Sequence, residues 1–148
     1  MRLTKQTDFS LRVLIYLSLQ PTGKLVNNAD IAQHFEIPKN HLIKVVHKLS
    51  RLNYIHTKRG RSGGIMLAKS PEKIKIAKVI IDIEPTLQLV SCHKPKCPLL
   101  PGCGLIPLLE QARSSFFEVL SSHTLADLIK KPKTLKQLIK LVPTAVNE

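Results

Sequence analysis

In Asn28-Ala-Asp-Ile-Ala-Gln-His-Phe35-Glu-Ile-Pro38-Lys-Asn-His-Leu42-Ile-Lys-Val-Val46-His-Lys-Leu49-Ser-Arg-Leu52, two helical periodicities stand either side of a break. The first is short: Asn27 or Asn28 can cap it, and Ala29, Ile31, Ala32 and Phe35 supply its apolar contacts. Glu36-Ile37-Pro38 interrupts it. From Lys39 to about Leu52, Leu42, Val45, Val46, Leu49 and Leu52 recur at three- and four-residue spacing and mark one buried face. The opposite face carries Asn40, His41, Lys44, His47, Lys48 and Arg51. Two helices joined by a short turn, the second apolar inside and basic outside, form a helix-turn-helix.

On the C-terminal side, Asn53 to Thr57 and Gly64 to Ala68 read as two strands, the second alternating through Ile65, Met66 and Leu67. Lys58-Arg-Gly-Arg-Ser-Gly-Gly64 joins them as a flexible basic loop, so a hairpin directly follows the recognition helix as a wing. On the N-terminal side, Asp8 to Leu19 reads as a helix with Thr7 as its cap and Pro21 and Gly23 as stop signals. This helix is apolar on most sides and is expected at the centre of the core. Residues 73 to 84 read as a fourth helix, with β-branched residues that leave a short strand open at its start, and Pro85 ends it. The expected fold is mainly α with a small β hairpin: a winged helix-turn-helix plus a long further helix.

That further helix follows Gly104, with Leu105, Leu108, Leu109, Ala112, Phe116, Val119 and Leu120 on an apolar stripe. The stripe is too apolar to face water, and a helix this long on so small a domain is expected to associate with a second copy. Thr124 and Asp127 mark the start of a short capped helix from Leu125 to Lys130. The tail from Thr134 to Val142 has Leu135, Leu138 and Ile139 at helical spacing, and its lysines and flanking Pro132 and Pro143 predict a loosely held end. The division that results is 1–84 for DNA binding, 85–104 for a cysteine loop and 105–148 for dimerisation and tail.

The charge fits this organisation. The 148 residues hold 23 Lys and Arg against 10 Asp and Glu, a formal charge of +13, and 43% of them are hydrophobic. Residues 1–70 carry 12 basic and 3 acidic side chains, and from Lys39 to Arg61 there is no acidic residue at all. Such a field attracts a polyanion, because neutralised phosphates release condensed counterions. Lys39, Lys44 and Lys48 are expected on phosphates, Asn40 and His41 on base edges, and Arg59, Arg61 and Ser62 of the wing on the adjacent groove or backbone. Two copies would read a palindrome in double-stranded DNA. The longest mainly apolar run, Val13 to Leu19, is far short of the roughly 20 residues of a bilayer span, and no signal-type segment follows Arg2 and Lys5, so a cytoplasmic protein is expected. No nucleophile and base pair, phosphate loop, paired carboxylates or Cys-x-x-Cys points to an enzyme.

Cys92-x4-Cys97-x5-Cys103 distinguishes this chain from a generic winged helix. All three cysteines fall within twelve residues, in a loop carrying Pro95, Pro98, Pro101, Gly102 and Gly104. A soft thiolate set of this kind suits an iron-sulfur cluster or zinc, and a disulfide fits poorly with an odd count in a reducing compartment. Zinc would need His93 or His123 as a fourth ligand, and structural zinc sites favour two closely spaced pairs. Spacing supports a metal and leaves its identity open.

In order along the chain, Met1-Arg-Leu-Thr4, Thr7-Asp-Phe-Ser-Leu-Arg12, Asn40-His-Leu-Ile-Lys-Val-Val46, Leu49-Ser-Arg51, Arg59-Gly-Arg-Ser-Gly-Gly-Ile65, Glu84-Pro85, the three cysteines and Thr124-Leu-Ala-Asp-Leu128 resemble the Rrf-type winged-helix iron-sulfur transcriptional regulators. Within that family the chain is most similar to the nitric-oxide-sensing repressors. The resemblance implies a homodimer with a [2Fe-2S] or [4Fe-4S] cluster on Cys92, Cys97 and Cys103. It further implies a non-thiol ligand, with Asp8 at the matching position and donated by the partner subunit, and Arg12 linking that ligand to the DNA-binding part. Operator binding would depend on the intact cluster and end on nitrosylation. The iron-sulfur homeostasis regulators of the same family space their cysteines more widely and place a histidine shortly after the third, where this chain has Gly104-Leu-Ile-Pro107. They, and a zinc-stabilised DNA-binding regulator, are the alternative readings.

Overall fold

Thr4, and not Thr7, caps the first helix. In the computed structural model, which describes residues 2–93 and 95–140, α1 runs Lys5–Ser18 and the Thr4 side chain accepts the Thr7 main-chain N–H. Thr7 lies inside the first turn and is fully buried, so its hydroxyl is spent on packing and on Thr4 Oγ1 at 3.2 Å. The expected boundary at Asp8 moves one turn toward the N-terminus, and Asp8 becomes a first-turn acid, where the helix dipole favours it.

The helix-turn-helix consists of α2 (Asn28–His34) and α3 (Lys39–Arg51). Asn27 caps α2 through the Ala29 N–H, and the turn closes with Glu36 at φ 51° and the Ile37 N–H on the Ala32 carbonyl at 2.9 Å. This left-handed residue reverses the chain before Pro38 admits α3. As expected, Leu42, Val45, Val46 and Leu49 are buried.

Strands β1 (Ile55–Lys58) and β2 (Gly64–Leu67) form an antiparallel hairpin in the register Ile55 to Leu67 and Lys58 to Gly64. Gly64 belongs here because a Cβ on it would sit 2.5 Å from the Val26 carbonyl oxygen, main chain against main chain. That approach carries a bridge between Val26 and Ile65, which ties the wing to the segment before α2.

A 3-10 turn at Pro71–Lys73 precedes α4 (Ile76–Ile83), so the fourth helix begins three residues later than its pattern predicts. The reason is a main-chain exchange with the far end of the chain: Ile76 N–H bonds the His123 carbonyl, and Leu125 N–H bonds the Ile74 carbonyl at 2.8 Å. The open possibility of a short strand at this start is realised as one bridge, Lys75 to Thr124. α5 (Leu105–Ser121) follows the cysteine loop, and α6 (Leu125–Leu128) starts at Thr124 with the reciprocal Thr124 and Asp127 capping box. Asp127 titrates well below the usual carboxylate range because it accepts from the Thr124 main chain, Lys130 and the Thr124 hydroxyl.

The core is built around α1. Val13 and Leu14 are wholly enclosed, against Ile31, Leu49, Ile55, Ile65, Val79 and, from the distant C-terminal part, Leu125. α5 itself buries no residue: Phe117 and Leu120 lean on the core, while Leu105, Leu108 and Val119 are 52%, 61% and 62% exposed. The expected loose tail forms α7 (Pro132–Lys140), with Ile139 against the core and Leu138 exposed; residues 141 and 142 of that tail lie outside the described residues. Among the described residues, no helix is long and apolar enough to cross a membrane.

Candidate nucleic-acid interface and metal centre

With Leu42, Val45 and Leu49 turned inward, a 100° step per residue directs Asn40, Lys44, His47 and Arg51 away from the core, with Ile43 on their flank. Lys39, Asn40, Lys44, His47 and Arg51 are exposed and Lys48 is half-buried. Ile43 is 62% exposed, a large apolar side chain set among cations. Sequence reading by polar character passed over Ile43; its place three residues after Asn40 and four before His47 was the available signal. His41 is exposed too, but it lies to one side, its ring 6.1 Å from that of Phe9 on α1. Gln6 of the same α1 turn donates through Nε2 to the Lys44 carbonyl at 3.4 Å. The outer face of α3 is therefore held from behind by the first turns of α1.

Arg59, Arg61 and Ser62 are all exposed at the hairpin end. Gly60, at φ 105°, makes the reversal, and the Gly63 N–H closes it on the Gly60 carbonyl at 2.9 Å. Among the described residues, no ion pair involves a basic side chain between Lys39 and Arg61. The whole stretch keeps its charge available for an outside anion.

Tyr54 joins α3, the wing and α4. Its main chain closes α3 on the Leu49 carbonyl and receives the Ala68 N–H, and its hydroxyl donates to Asp82 Oδ2 on α4 at 2.7 Å. Burial, and then the hydrogen bond and charge of Asp82, push the Tyr54 hydroxyl above its ordinary range. For Asp82 burial acts upward, but hydrogen bonds from Lys78 and Tyr54 and the charges of Lys78 and Lys48 outweigh it and leave the carboxyl below 3.8. Tyr54→Phe is expected to lower unfolding free energy by about 1–2 kcal/mol in a urea titration at neutral pH. A depressed carboxyl stabilises above its unfolded pKa, so the difference from wild type should persist above 3.8 and shrink as pH falls through the folded value.

Main-chain turns shape the cysteine loop. Cys97 N–H bonds the Cys92 carbonyl at 2.9 Å, Leu100 N–H the Cys97 carbonyl at 3.2 Å, and Gly102 N–H the Leu99 carbonyl at 3.1 Å. All three cysteines are free and half-exposed, and Cys92 and His93 open on a cleft of about 370 Å3 also lined by Leu100, Ile106 and Glu110. Among the described residues no three His, Cys, Asp or Glu side chains are assembled around one ion position. The donor chemistry still fits: three reduced thiols on one short loop, none committed to a disulfide or buried in the core, suit a soft metal or an iron-sulfur group. His123 has its Nδ1 beside the Ser122 hydroxyl and the Val119 carbonyl at the end of α5, apart from the loop's own turns.

Asp8 and Arg12 form an ion pair at 2.9 Å, reinforced by Arg12 Nε on Oδ1 at 3.1 Å, and both side chains are 45% exposed. The pair lies within one chain, one helical turn apart.

A helix-turn-helix with a bare cationic outer face, followed at once by a basic hairpin on a helical core, defines a winged helix-turn-helix transcriptional regulator. Residues 3–131 match the Rrf2 family, described as iron-dependent transcriptional regulators, and the chain belongs to that family. Two similar proteins bear the description HTH-type transcriptional regulator NsrR. The one from Bacillus licheniformis is 45% identical over 142 residues, covering 94% of this chain and 99% of the relative. The one from Bacillus subtilis is 42% identical over 144 residues, covering 95% and 99%. Among solved structures, CymR, the global cysteine regulator of B. subtilis, superposes with a TM-score of 0.69 at 23% identity, covering 86% of this chain and 95% of that one. The T. potens IscR structure gives 0.70 at 23%, covering 92% and 91%. These two establish the shared fold.

Proposed function

We propose that the chain is a cytoplasmic, nitric-oxide-responsive repressor that binds a palindromic operator as a homodimer while an iron-sulfur cluster is held on Cys92, Cys97 and Cys103. The observation that carries this reading is the set of three free thiols beside a bare cationic recognition helix, in a chain 42–45% identical to NsrR relatives along nearly its whole length. Bound there, an iron-sulfur group would supply iron reactive toward nitric oxide. Asp8 of the partner subunit would serve as the non-thiol ligand, and Arg12 would orient its carboxylate through the pair already present in the single chain. The exposed stripe of Leu105, Leu108 and Val119 on α5, with Ile81 of α4 at 45% exposure, packs against the second copy. Residues 1–84 read DNA, 85–104 hold the metal and 105–148 carry the dimer contact and the tail. α3 enters the major groove with Asn40 and His47 toward base edges and Ile43 toward a thymine methyl, while Lys39, Lys44 and Lys48 take phosphates, His41 stands beside them against Phe9, and Arg59, Arg61 and Ser62 follow the adjacent groove.

Anaerobic purification tests this. A coloured protein with iron and acid-labile sulfide is expected, binding a duplex selected from a random pool and releasing it on addition of nitric oxide. A colourless, zinc-loaded protein with unchanged DNA binding would reject it.

A further inference from the structure

Two short stretches supply none of the side chains proposed for DNA contact or as metal ligands: Arg2-Leu3-Thr4 and Glu84-Pro85. The fold joins them across 80 positions of sequence. Glu84 is the first residue past α4, and Pro85 begins the segment that runs to Cys92. Glu84 Oε1 accepts the Thr4 main-chain N–H at 2.8 Å and the Thr4 hydroxyl at 3.2 Å. Two donors on one ionised oxygen, half removed from water, make a strong and directional contact.

Thr4 is also the cap on which α1 is built. Its hydroxyl proton goes to Glu84, which leaves the oxygen lone pairs for the Thr7 N–H at 3.3 Å; its carbonyl receives the Asp8 N–H at 3.0 Å. The negative charge of Glu84 thus lies at the positive end of α1, and the residue it grips sets the main-chain position of Asp8. Within the first turns of α1, Gln6 donates to the Lys44 carbonyl and the Phe9 ring stands beside that of His41 on α3. The same carboxylate consequently adjoins the segment leading to the cysteines, the turn that carries Asp8 and the support of the recognition helix.

Resting on the function proposed above, we propose that Glu84 is a positioning residue: its clasp on Thr4 transmits displacement of residues 85–104 to α1, and through α1 to the outer face of α3. Simple capping would contribute stability alone. A coupling role also changes how strongly the state of the metal site is felt at the DNA.

The test uses the full chain, anaerobic, with the duplex that the wild type selects from a random pool. Wild type is expected to lose about 100-fold in affinity on exposure to nitric oxide. Glu84→Ala, with the wild-type content of iron and sulfide, is expected to lose less than about 5-fold, and Glu84→Gln, which keeps the acceptor oxygen, to recover most of the response. A wild-type response in Glu84→Ala overturns the clasp and leaves the proposed function standing. If wild type itself ignores nitric oxide, the proposed function fails, and amide hydrogen exchange on metal-free protein decides the clasp separately. Glu84→Ala, or the milder Thr4→Val, should then speed exchange in residues 5–9 and 39–45 while the 55–67 hairpin keeps its wild-type rates. Exchange unchanged in 5–9 and 39–45 overturns the proposal.

Discussion

Cys97→Ala should leave a folded, colourless protein that no longer changes its DNA affinity when nitric oxide is added. Cys97 is the middle thiol of the three, and its structural ties are main-chain ones: its N–H to the Cys92 carbonyl and its carbonyl to the Leu100 N–H. Alanine keeps both. The side chain is half-exposed and takes no part in the core around α1, so the substitution should change stability by less than about 0.5 kcal/mol. The proposed ligand set, in contrast, falls from three thiolates to two, Cys92 and Cys103, which leaves a cluster that takes four ligands short of one of its thiolate anchors. The expected readout is complete loss of iron, sulfide and visible absorbance, with a melting curve that overlays metal-free wild type. Comparison with metal-free wild type matters because a bound metal itself raises apparent stability. Retained iron together with a full nitric oxide response in Cys97→Ala would falsify the assignment of the metal centre to this loop.

The parts of this molecule that could be read from sequence are those whose information is local. The helix-turn-helix was legible because Leu42, Val45, Val46 and Leu49 repeat at helical spacing on one side of a break that Glu36 and Pro38 announce. The capping box at Thr124 and Asp127 was legible for the same reason, both partners lying within one turn. The start of α1 was not. Thr4 and Thr7 are equally good caps by residue type, and Thr4 holds the position because Glu84, 80 residues away, secures it while Thr7 is enclosed in the core. α4 starts late because residues 74–76 trade main-chain bonds with residues 123–125, a pairing no window over residues 73–84 contains. At the site, the cationic face was visible in composition, whereas the side on which His41 falls required knowing that α1 lies there. Gly63 and Gly64 read from sequence as loop flexibility, but a Cβ on either would strike the chain's own main chain, at Lys58 and Val26. The cysteine spacing pointed to a metal, whereas the ligand proposed from the partner subunit, Asp8, would leave no periodicity in either chain.

Arg59→Ala combined with Arg61→Ala carries the other large expected effect, a fall of roughly 100-fold in operator affinity near physiological salt. The two arginines flank Gly60, whose φ of 105° turns the hairpin so that both side chains stand out from its end, without an ion pair to any described residue. Both are exposed and hold no ion pair among the described residues, so a melting temperature equal to wild type is expected and separates this variant from a folding defect. In the proposed dimer four charges leave the interface. At about 0.9 counterions per phosphate, the slope of log affinity against log salt should become shallower by about 3 to 4. If one arginine of each wing lies in a narrow minor groove, selectivity against G·C-rich flanking sequence should fall along with affinity; if both lie on the backbone, all duplexes should weaken alike. The nitric oxide response, expressed as a ratio of affinities, should survive, because the wing lies outside the contacts that join Glu84, α1 and the outer face of α3. Unchanged affinity and an unchanged salt slope would remove the wing from the interface and leave the whole charge-driven part of binding to α3.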